Sequence, residues 1–219
     1  MSCYVALDGP DGCGKSSQAA ALVAWLGERG RRALHVREPG STPVGEALRA
    51  LLLSPATGEL RPISEALLFS AARAELMANV VAPALARGDV VVAERCYLST
   101  VVYQGLAHQG PAHPGAASAG GAGHALTVDW LFDLTRRVHG ACLPDAVFVL
   151  DVPVAVSLAR RAERTRDRFE ARGDDYHERV RHGYLRASQL DGRARVVDAA
   201  RAFDAVQADL RAALMELLR

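Results

Sequence analysis

The residues of this chain best suited to chemistry form one glycine-rich segment near its amino terminus. Residues 9–16 read Gly-Pro-Asp-Gly-Cys-Gly-Lys-Ser, which fits a glycine, four residues and then Gly-Lys-Ser. In such a loop, glycines bring backbone N–H groups against phosphate oxygens, the lysine reaches the β- and γ-phosphates, and the serine hydroxyl can bind Mg²⁺. An ordinary glycine-rich turn is the alternative interpretation, but the apolar run 3–7 before the segment and the Ala/Leu-rich stretch 17–29 after it predict a strand and a helix. That context favours a nucleoside triphosphate site.

We expect the whole loop and the residue after it to bind the triphosphate. The predicted ATP-binding residues are Gly9, Pro10, Asp11, Gly12, Cys13, Gly14, Lys15, Ser16 and Ser17. The loop alone indicates a nucleotide without naming an acceptor for its phosphate.

A second group of charged residues follows the predicted strands. Its members are Asp8, Asp11, Arg37, Glu38, Arg73, Glu94, Arg95 and Asp151. Any one of them could be an ordinary solvated residue. Glu94 and Arg95, however, end a β-branched run, 89–94, and ligands of parallel α/β sheets bind at that end of the strands. Several arginines directed at one place indicate a second phosphate group, because the guanidinium fork matches phosphate geometry.

Two further segments have both a functional and a structural interpretation. Phe69 and Arg73 lie one helical turn apart, as an aromatic face and a donor for a nucleobase would, although Phe69 could equally be a core residue. An arginine-dense segment, 160–168, leads into a charged loop, 167–173, and could be a solvated helix face. A lid that brings positive charge over transferring phosphates explains it more economically.

The alternation of apolar strand-like runs with helical stretches predicts an α/β fold. We expect a parallel sheet of about five strands with helices on both faces, the three-layer arrangement of P-loop nucleoside triphosphatases, plus a mobile lid. The 219 residues suit a single domain, 1–219, with the lid at about 160–173 and a flexible Gly/Ala-rich insert at about 106–126.

Composition narrows the function classes. A net charge of +1 argues against a broad nucleic-acid-binding surface. The four cysteines, scattered without a C-x-x-C pair, predict reduced thiols in a cytoplasmic protein. Neither a signal peptide nor a membrane-spanning segment is expected, because the chain has no suitably long apolar run.

Taken in order, these segments resemble the thymidylate kinase family over nearly the whole chain. The resemblance begins with residues 8–16 and continues through Arg-Glu-Pro-Gly at 37–40, Leu-Leu-Phe at 67–69, Tyr-Gln-Gly at 103–105 and Asp-Arg-Phe-Glu at 167–170. The family transfers the γ-phosphate of ATP to dTMP, giving dTDP for dTTP synthesis. It therefore implies a cytoplasmic transferase with ATP and dTMP as substrates, Mg²⁺ as cofactor and a homodimer, with neither nucleic acid nor membrane as a partner.

The resemblance also implies roles for individual residues. Arg95 would bind the dTMP phosphate, Phe69 would stack on thymine, Arg73 would hydrogen-bond the base, and Tyr103 would crowd the 2′ position of the sugar. The implied substrate-binding residues are Asp11, Arg37, Glu38, Pro39, Phe69, Arg73, Arg95, Ser99, Thr100, Tyr103 and Gln104. The implied catalytic residues are Lys15, Arg95, Asp11, Arg160 and Arg164, and the implied metal ligands are Ser16 and Glu94.

The chain departs from the family pattern at several positions. Glu94-Arg95-Cys96 stands where Asp-Arg-Tyr is usual, Ser41 replaces a usual glycine, and Ala72 and Leu98 occupy positions that are often acidic. Two alternatives stay open at this point: a kinase of broader deoxynucleoside monophosphate specificity, and a nucleotide-binding paralogue that transfers no phosphate. A generic P-loop ATPase or GTPase is disfavoured, because it would lack the second set of phosphate- and base-binding residues.

Overall fold

The computed structural model of the chain describes residues 1–109, 126–162 and 167–219. Most of the insert predicted at 106–126 lies outside the described residues, and so does Arg164 of the predicted lid. Within the described ranges, no helix is long and apolar enough to cross a membrane.

The centre of the fold is a five-stranded sheet in which all paired strands are parallel. Its strands are β1 (Cys3–Asp8), β2 (Ala33–Arg37), β3 (Val90–Glu94), β4 (Ala146–Asp151) and β5 (Ala194–Asp198). Their order across the sheet is β2-β3-β1-β4-β5. The predicted sheet of about five parallel strands is confirmed.

Helices connect the strands. The α-helices of the described ranges are α1 (Lys15–Gly27), α2 (Pro43–Leu53), α3 (Pro62–Leu76), α4 (Ala82–Ala86), α5 (Tyr97–Thr100), α6 (Val128–His139), α7 (Val154–Arg161), α8 (Asp174–Leu190) and α9 (Phe203–Leu217). Two π-helical segments, Met77–Val81 and Val101–Gly105, continue α3 and α5. Short 3₁₀ turns occupy Pro55–Thr57 and Leu106–Gln109.

The sheet separates two apolar cores, which makes the fold three-layered. Successive side chains of a strand point to opposite faces. Tyr4 and Ala6 of β1 accordingly join the core shared with α3, α6 and α8. Val5 and Leu7 join the core shared with α1 and α9. Burial on both faces explains why the strands read as continuous apolar runs in the sequence.

The register of the strands brings the functional loops together. Arg37 and Leu7 are the sheet partners of Glu94 on its two sides, so β2, β3 and β1 end next to one another. The chain order reverses beside β1, which lies between β3 and β4. A crevice at the carboxyl ends of strands is expected at such a switch point.

The structure shows how individual helices begin, end and are interrupted. Helix α1 begins at Lys15 and ends at Gly27, and a Schellman motif closes it. The Gly30 N–H donates to the Gly27 carbonyl oxygen at 2.9 Å and the Arg31 N–H to the Leu26 carbonyl oxygen at 3.0 Å, with Gly30 in the left-handed conformation at φ +68°. Helices α3 and α4 form one helical run that the π-helical segment Met77–Val81 interrupts, and Pro83 lies in the first turn of α4. Thr42 caps α2, since its hydroxyl accepts from the Gly45 N–H at 2.9 Å and Pro43 follows it.

Candidate active site

A cleft of about 620 Å³ opens where β1, β2 and β3 end. One of its walls is the glycine-rich loop between β1 and α1. The other walls come from the residues after β2, from α3, from Tyr97–Gly105 and from the 167–172 loop. Its volume is that of an ordinary small-molecule site.

The glycine-rich loop wraps closely around its lysine. Lys15 Nζ donates to the carbonyl oxygens of Gly9 at 3.0 Å and Pro10 at 2.8 Å. At Gly9, φ is +133° and a Cβ would lie 2.6 Å from the Leu150 carbonyl oxygen, so only glycine fits. The loop ends at Gly14, whose left-handed backbone turns the chain into α1. Lys15 therefore stands at the amino end of a helix, a position that favours anions.

Ser16 and Glu94, the predicted metal ligands, lie in contact. The Ser16 hydroxyl donates to Glu94 Oε2 at 2.5 Å, and His35 Nε2 lies 2.6 Å from Glu94 Oε1. Burial of Glu94 opposes its ionisation, but these hydrogen bonds and the charge of Lys15 outweigh burial and hold the pKa of Glu94 below its ordinary value. Glu94 is thus a carboxylate beside a hydroxyl, next to the glycine-rich loop 9–16 (the phosphate loop).

Asp8, at the end of β1, organises the loop after β3. Its fully buried carboxylate accepts from the backbone N–H groups of Gly9 at 2.9 Å, Ser99 at 3.0 Å and Cys96 at 3.1 Å. It also accepts from the Ser99 hydroxyl and from the Tyr184 hydroxyl, each at 2.7 Å. Asp8 therefore joins the phosphate loop, α5 and α8 at one point.

Arg95 and Asp11 form an ion pair across the cleft. Arg95 Nη1 also donates to the Ser99 hydroxyl at 3.1 Å and the Tyr184 hydroxyl at 3.3 Å. Burial opposes ionisation of Asp11, but the charges of Arg95 and Lys15 and the hydrogen bond from Tyr103 outweigh it, so the pKa of Asp11 is lowered. Arg95 has a left-handed backbone, φ +69°, which a non-glycine residue adopts only where its surroundings impose it.

Arg49 is a cleft residue that the sequence analysis did not single out. It projects from α2, lines the cleft beside Arg37 and Arg95, and donates to the Pro39 carbonyl oxygen at 2.9 Å. Burial and the positive charges of Arg37 and Arg95 lower the pKa of Arg49. Three guanidinium groups that repel one another around one space are suited to an anion. Arg49 lies four residues after Gly45 in a helix of ordinary composition, so no motif in the sequence pointed to it.

Arg73 lies behind the cleft wall. It is 2 % exposed, and its Nε donates to Glu38 Oε2 at 2.5 Å. Its Nη2 donates to the Thr100 hydroxyl at 3.2 Å. Within the described part of the chain, Arg73 Nη1 is buried without a hydrogen-bond partner. A buried donor of this kind lowers the stability of the fold unless a hydrogen-bond acceptor faces it.

Aromatic rings line the far side of the cleft. The Phe69 ring lies 6.2 Å from the ring of Phe169, and Phe169 meets Tyr103 edge-on at 5.8 Å. Tyr103 also donates to Asp11 Oδ2 at 3.1 Å. Phe169 belongs to the 167–172 loop, where the Asp167 carboxylate accepts from the N–H groups of Phe169 and Glu170 at 2.8 and 2.9 Å. This loop therefore closes over the aromatic wall.

The cleft collects most of the residues predicted from the sequence. From the nucleotide-binding set, those that line it are Asp11, Gly12, Gly14, Lys15, Ser16 and Ser17. From the acceptor set they are Arg37, Glu38, Pro39, Phe69 and Arg95. From the Tyr97–Gly105 stretch they are Ser99, Thr100, Tyr103 and Gln104. Glu94 and Arg160 line it as well, and Arg160 donates twice to the Ala199 carbonyl oxygen at 3.1 Å.

Some predicted residues lie behind the lining. Gly9, Pro10 and Cys13 form the buried back of the phosphate loop, and Arg73 lies behind the wall as described. Burial raises the pKa of the Cys13 thiol although Lys15 lies 3.5 Å from its sulfur. Arg164 is outside the described residues.

Comparison with known proteins agrees with this geometry. A sequence model of the family described as Thymidylate kinase matches residues 7–112 and 117–210. The chain belongs to the thymidylate kinase family. A protein named thymidylate kinase from Symbiobacterium thermophilum is 39 % identical over 219 residues, which cover 100 % of this chain and 95 % of that protein.

Other relatives support the same assignment, and a solved structure shares the fold. A thymidylate kinase from Thermomicrobium roseum is 44 % identical over 91 % of this chain and 88 % of its own length, and one from Pseudomonas putida is 42 % identical over 96 % and 94 %. The crystal structure of thymidylate kinase from Ehrlichia chaffeensis shares the fold, with a TM-score of 0.73 at 24 % identity and 98 % coverage of both chains. As a member of this family the chain is an enzyme, a phosphotransferase.

The Asp8 cluster generates a stability prediction. Replacing Asp8 by Asn keeps the shape of the side chain but turns one acceptor oxygen into a donor that faces other donors. Leaving buried donors unsatisfied should lower the free energy of unfolding by about 2–4 kcal/mol, as measured by urea denaturation. The matched control is Asp204→Asn at an exposed position of α9, which should cost less than about 1 kcal/mol. Equal losses in the two variants would contradict the role of Asp8.

Proposed function

We propose that this cleft transfers the γ-phosphate of ATP to dTMP and produces dTDP, the reaction of the family to which the chain belongs. The observation that carries the proposal is the presence of two cationic sites in one cleft. Lys15 and the glycine-rich loop form one, and Arg37, Arg49 and Arg95 surround the other. Donor and acceptor phosphates held side by side are what direct transfer between two nucleotides requires.

The donor site binds and orients the triphosphate. We assign the backbone N–H groups of the loop, the positive end of α1 and the Lys15 ammonium to the β- and γ-phosphates. Arg160, at the end of α7, lines the same side of the cleft. These groups neutralise charge where it develops during transfer, so positioning and electrostatics supply most of the catalysis.

Mg²⁺ is proposed as the cofactor that accompanies ATP. Ser16 and Glu94 would hold it, and the donor set fits: a hydroxyl and a carboxylate, oxygen donors of the kind that Mg²⁺ prefers, lie in contact beside the glycine-rich loop. The described residues contain no cluster of three or more His, Cys, Asp or Glu side chains that could cage a metal. When bound, the ion would neutralise negative charge on the β- and γ-phosphates.

The acceptor site binds the monophosphate and its nucleoside. We assign Arg95, Arg49 and Arg37 to the dTMP phosphate, Phe69 to the face of the base and Tyr103 to the sugar. Asp11 pairs with Arg95 and lies between the two sites, where it orients the guanidinium group. No side-chain base is required, because the attacking phosphate oxygen already carries a negative charge.

The donor assignment predicts the effect of removing Lys15. Lys15→Ala should lower kcat for dTMP phosphorylation by at least about a hundredfold, because the charge that developing phosphate oxygens meet is lost. A coupled assay of ADP and dTDP formation measures this, and Arg186→Ala, at an exposed position of α8, is the control that should retain wild-type turnover. Unchanged transfer by Lys15→Ala would overturn the site assignment.

Lys15 is also the chain's single lysine, which permits a test without turnover. An amine-directed acylating reagent can modify only this side chain and the amino terminus. ATP should protect Lys15, as read by peptide mass spectrometry, whereas labelling of the amino terminus should not change. Equal labelling of Lys15 with and without ATP would contradict the donor site.

The acceptor assignment predicts that Arg49 serves dTMP and not ATP. Arg49→Gln should raise KM for dTMP by about tenfold or more, since a charge-assisted hydrogen bond to phosphate is lost, and should leave KM for ATP within about twofold. Arg61→Gln, on an exposed arginine before α3, is the matched control. A rise in KM for ATP alone would place Arg49 on the donor side instead.

A homodimer is proposed from the family and from an apolar surface. Ile63 and Leu67 lie one turn apart on α3 and are 38 % and 50 % exposed, and Leu51 of the adjacent α2 is 45 % exposed. Leu76 of the same helix α3 is instead buried in the core, so the apolar residues of this helix divide between core and surface.

Sedimentation velocity should give a dimer at micromolar concentration that Leu67→Glu weakens. A monomer of the unmodified chain would refute the proposal.

A further inference from the structure

Glu65 is a fully buried carboxylate with two partners from different parts of the cleft. It lies on α3 and is 0 % exposed. Gln104 Nε2, from the cleft wall, donates to Glu65 Oε2 at 2.8 Å. Arg168 Nη2, from the 167–172 loop, lies 2.7 Å from Glu65 Oε1 as an ion contact without hydrogen-bond alignment. Burying a carboxylate has a large desolvation free energy unless the charge is paired. A buried carboxylate at this position therefore points to a function in addition to packing.

The pairing with Arg168 determines how the Gln104 amide is oriented. In its ion pair with Arg168, Glu65 offers carboxylate oxygens that accept hydrogen bonds. Gln104 must therefore turn its NH₂ group to Glu65. Its carbonyl oxygen is then the acceptor that the amide can offer to the cleft, which Gln104 lines. Without Glu65 the two ends of the amide would be nearly equivalent.

The same face of α3 carries the other groups that would meet a base. Glu65, Phe69 and Arg73 are spaced by four residues and thus lie along one side of the helix. Phe69 lines the cleft, and Arg73 Nη1 is a buried donor without a partner among the described residues. The Thr100 hydroxyl, which accepts from Arg73, lies one turn before Gln104. An acceptor and a donor are therefore held close to one aromatic face.

We propose that Glu65 is a positioning residue for base selection: it fixes the Gln104 amide so that the cleft accepts a pyrimidine with an N3–H and a 4-oxo group. Thymine and uracil present that pattern, an N–H donor beside an oxygen acceptor. Cytosine presents the reverse, an N3 acceptor beside a 4-amino donor, and would place its N3 acceptor against the Gln104 carbonyl oxygen. The inference rests on the proposed function and adds the residue that enforces selectivity within it.

The test compares two acceptors in the same enzyme. Glu65→Gln preserves size but can donate as well as accept, so the Gln104 amide is free to turn over. The ratio of kcat/KM for dTMP to that for dCMP should fall by about tenfold or more, while KM for ATP stays within about twofold. A purely structural role would lower the melting temperature or kcat for both acceptors and leave the ratio unchanged. An unchanged ratio overturns the proposal.

A double-mutant cycle locates the effect. In a Gln104→Ala background, Glu65→Gln should change the ratio no further, since the amide that it orients is gone. Glu75→Gln, on the same helix and bonded only to Asn79 among the described residues, is the matched control and should keep the wild-type ratio. A full additional loss in the Gln104→Ala background would show that Glu65 acts by another route.

If Glu65→Gln fails to fold, a measurement on the unmodified chain still tests whether the cleft requires the N3–H of the base. Calorimetric titration should show that dTMP and dUMP bind and that N3-methyl-dTMP binds at least about tenfold more weakly. Equal binding of N3-methyl-dTMP overturns the proposal. Absence of phosphoryl transfer to any of the deoxynucleoside monophosphates defeats the proposed function as well, so the two failures are distinguishable.

Discussion

The buried carboxylate of Asp8 connects the parts of the fold that must stay in register for the cleft to exist. It closes the end of β1, accepts from Gly9 at the start of the phosphate loop, and accepts from Ser99 in the loop after β3. Tyr184 reaches it from α8, far along the chain. Because Ser99 and Tyr184 also accept from Arg95, the position of Arg95, which we propose for the acceptor phosphate, depends on the residue that anchors the glycine-rich loop. The proposed donor and acceptor sites therefore share one support.

The arginines of the cleft differ in how far neighbouring carboxylates neutralise their charge. Arg95 is held between Asp11 and the Asp8 cluster, whereas Arg37 pairs with Glu46 at 2.9 Å toward the surface. Among the described residues, Arg49 donates to the Pro39 carbonyl oxygen alone, and burial together with the charges of Arg37 and Arg95 lowers its pKa. A phosphate that enters this space relieves repulsion already present in the protein. Groups fixed in advance in this way bind a dianion without first reorganising, which is how electrostatic catalysis avoids the penalty that water would impose.

Much of the fold and part of the cleft could be predicted from the sequence, for identifiable reasons. Strands buried on both faces leave long apolar runs, and the phosphate loop has a fixed spacing, so both were recognisable. Tyr184 was not, because it contacts Asp8 from a position 176 residues further along the chain. The π-helical segment Val101–Gly105, which carries Tyr103 and Gln104, leaves no periodic signal. At Ser41, where the resembled family usually has glycine, the backbone is still left-handed, with φ +62°, and its hydroxyl accepts from the Arg37 N–H at 2.9 Å.

Glu65 shows how one helix can serve both halves of the cleft. The Arg168 that compensates its charge belongs to the loop that covers the aromatic wall, and that arginine also donates to the Leu52 carbonyl oxygen at 2.5 Å. Docking of the 167–172 loop and orientation of Gln104 thus draw on the same carboxylate. If the loop leaves, Glu65 is a buried charge with one neutral donor, which is unfavourable. On the proposed role of Glu65, the docked loop and the ordered Gln104 amide therefore stabilise each other, and selection of the base is linked to docking of the 167–172 loop.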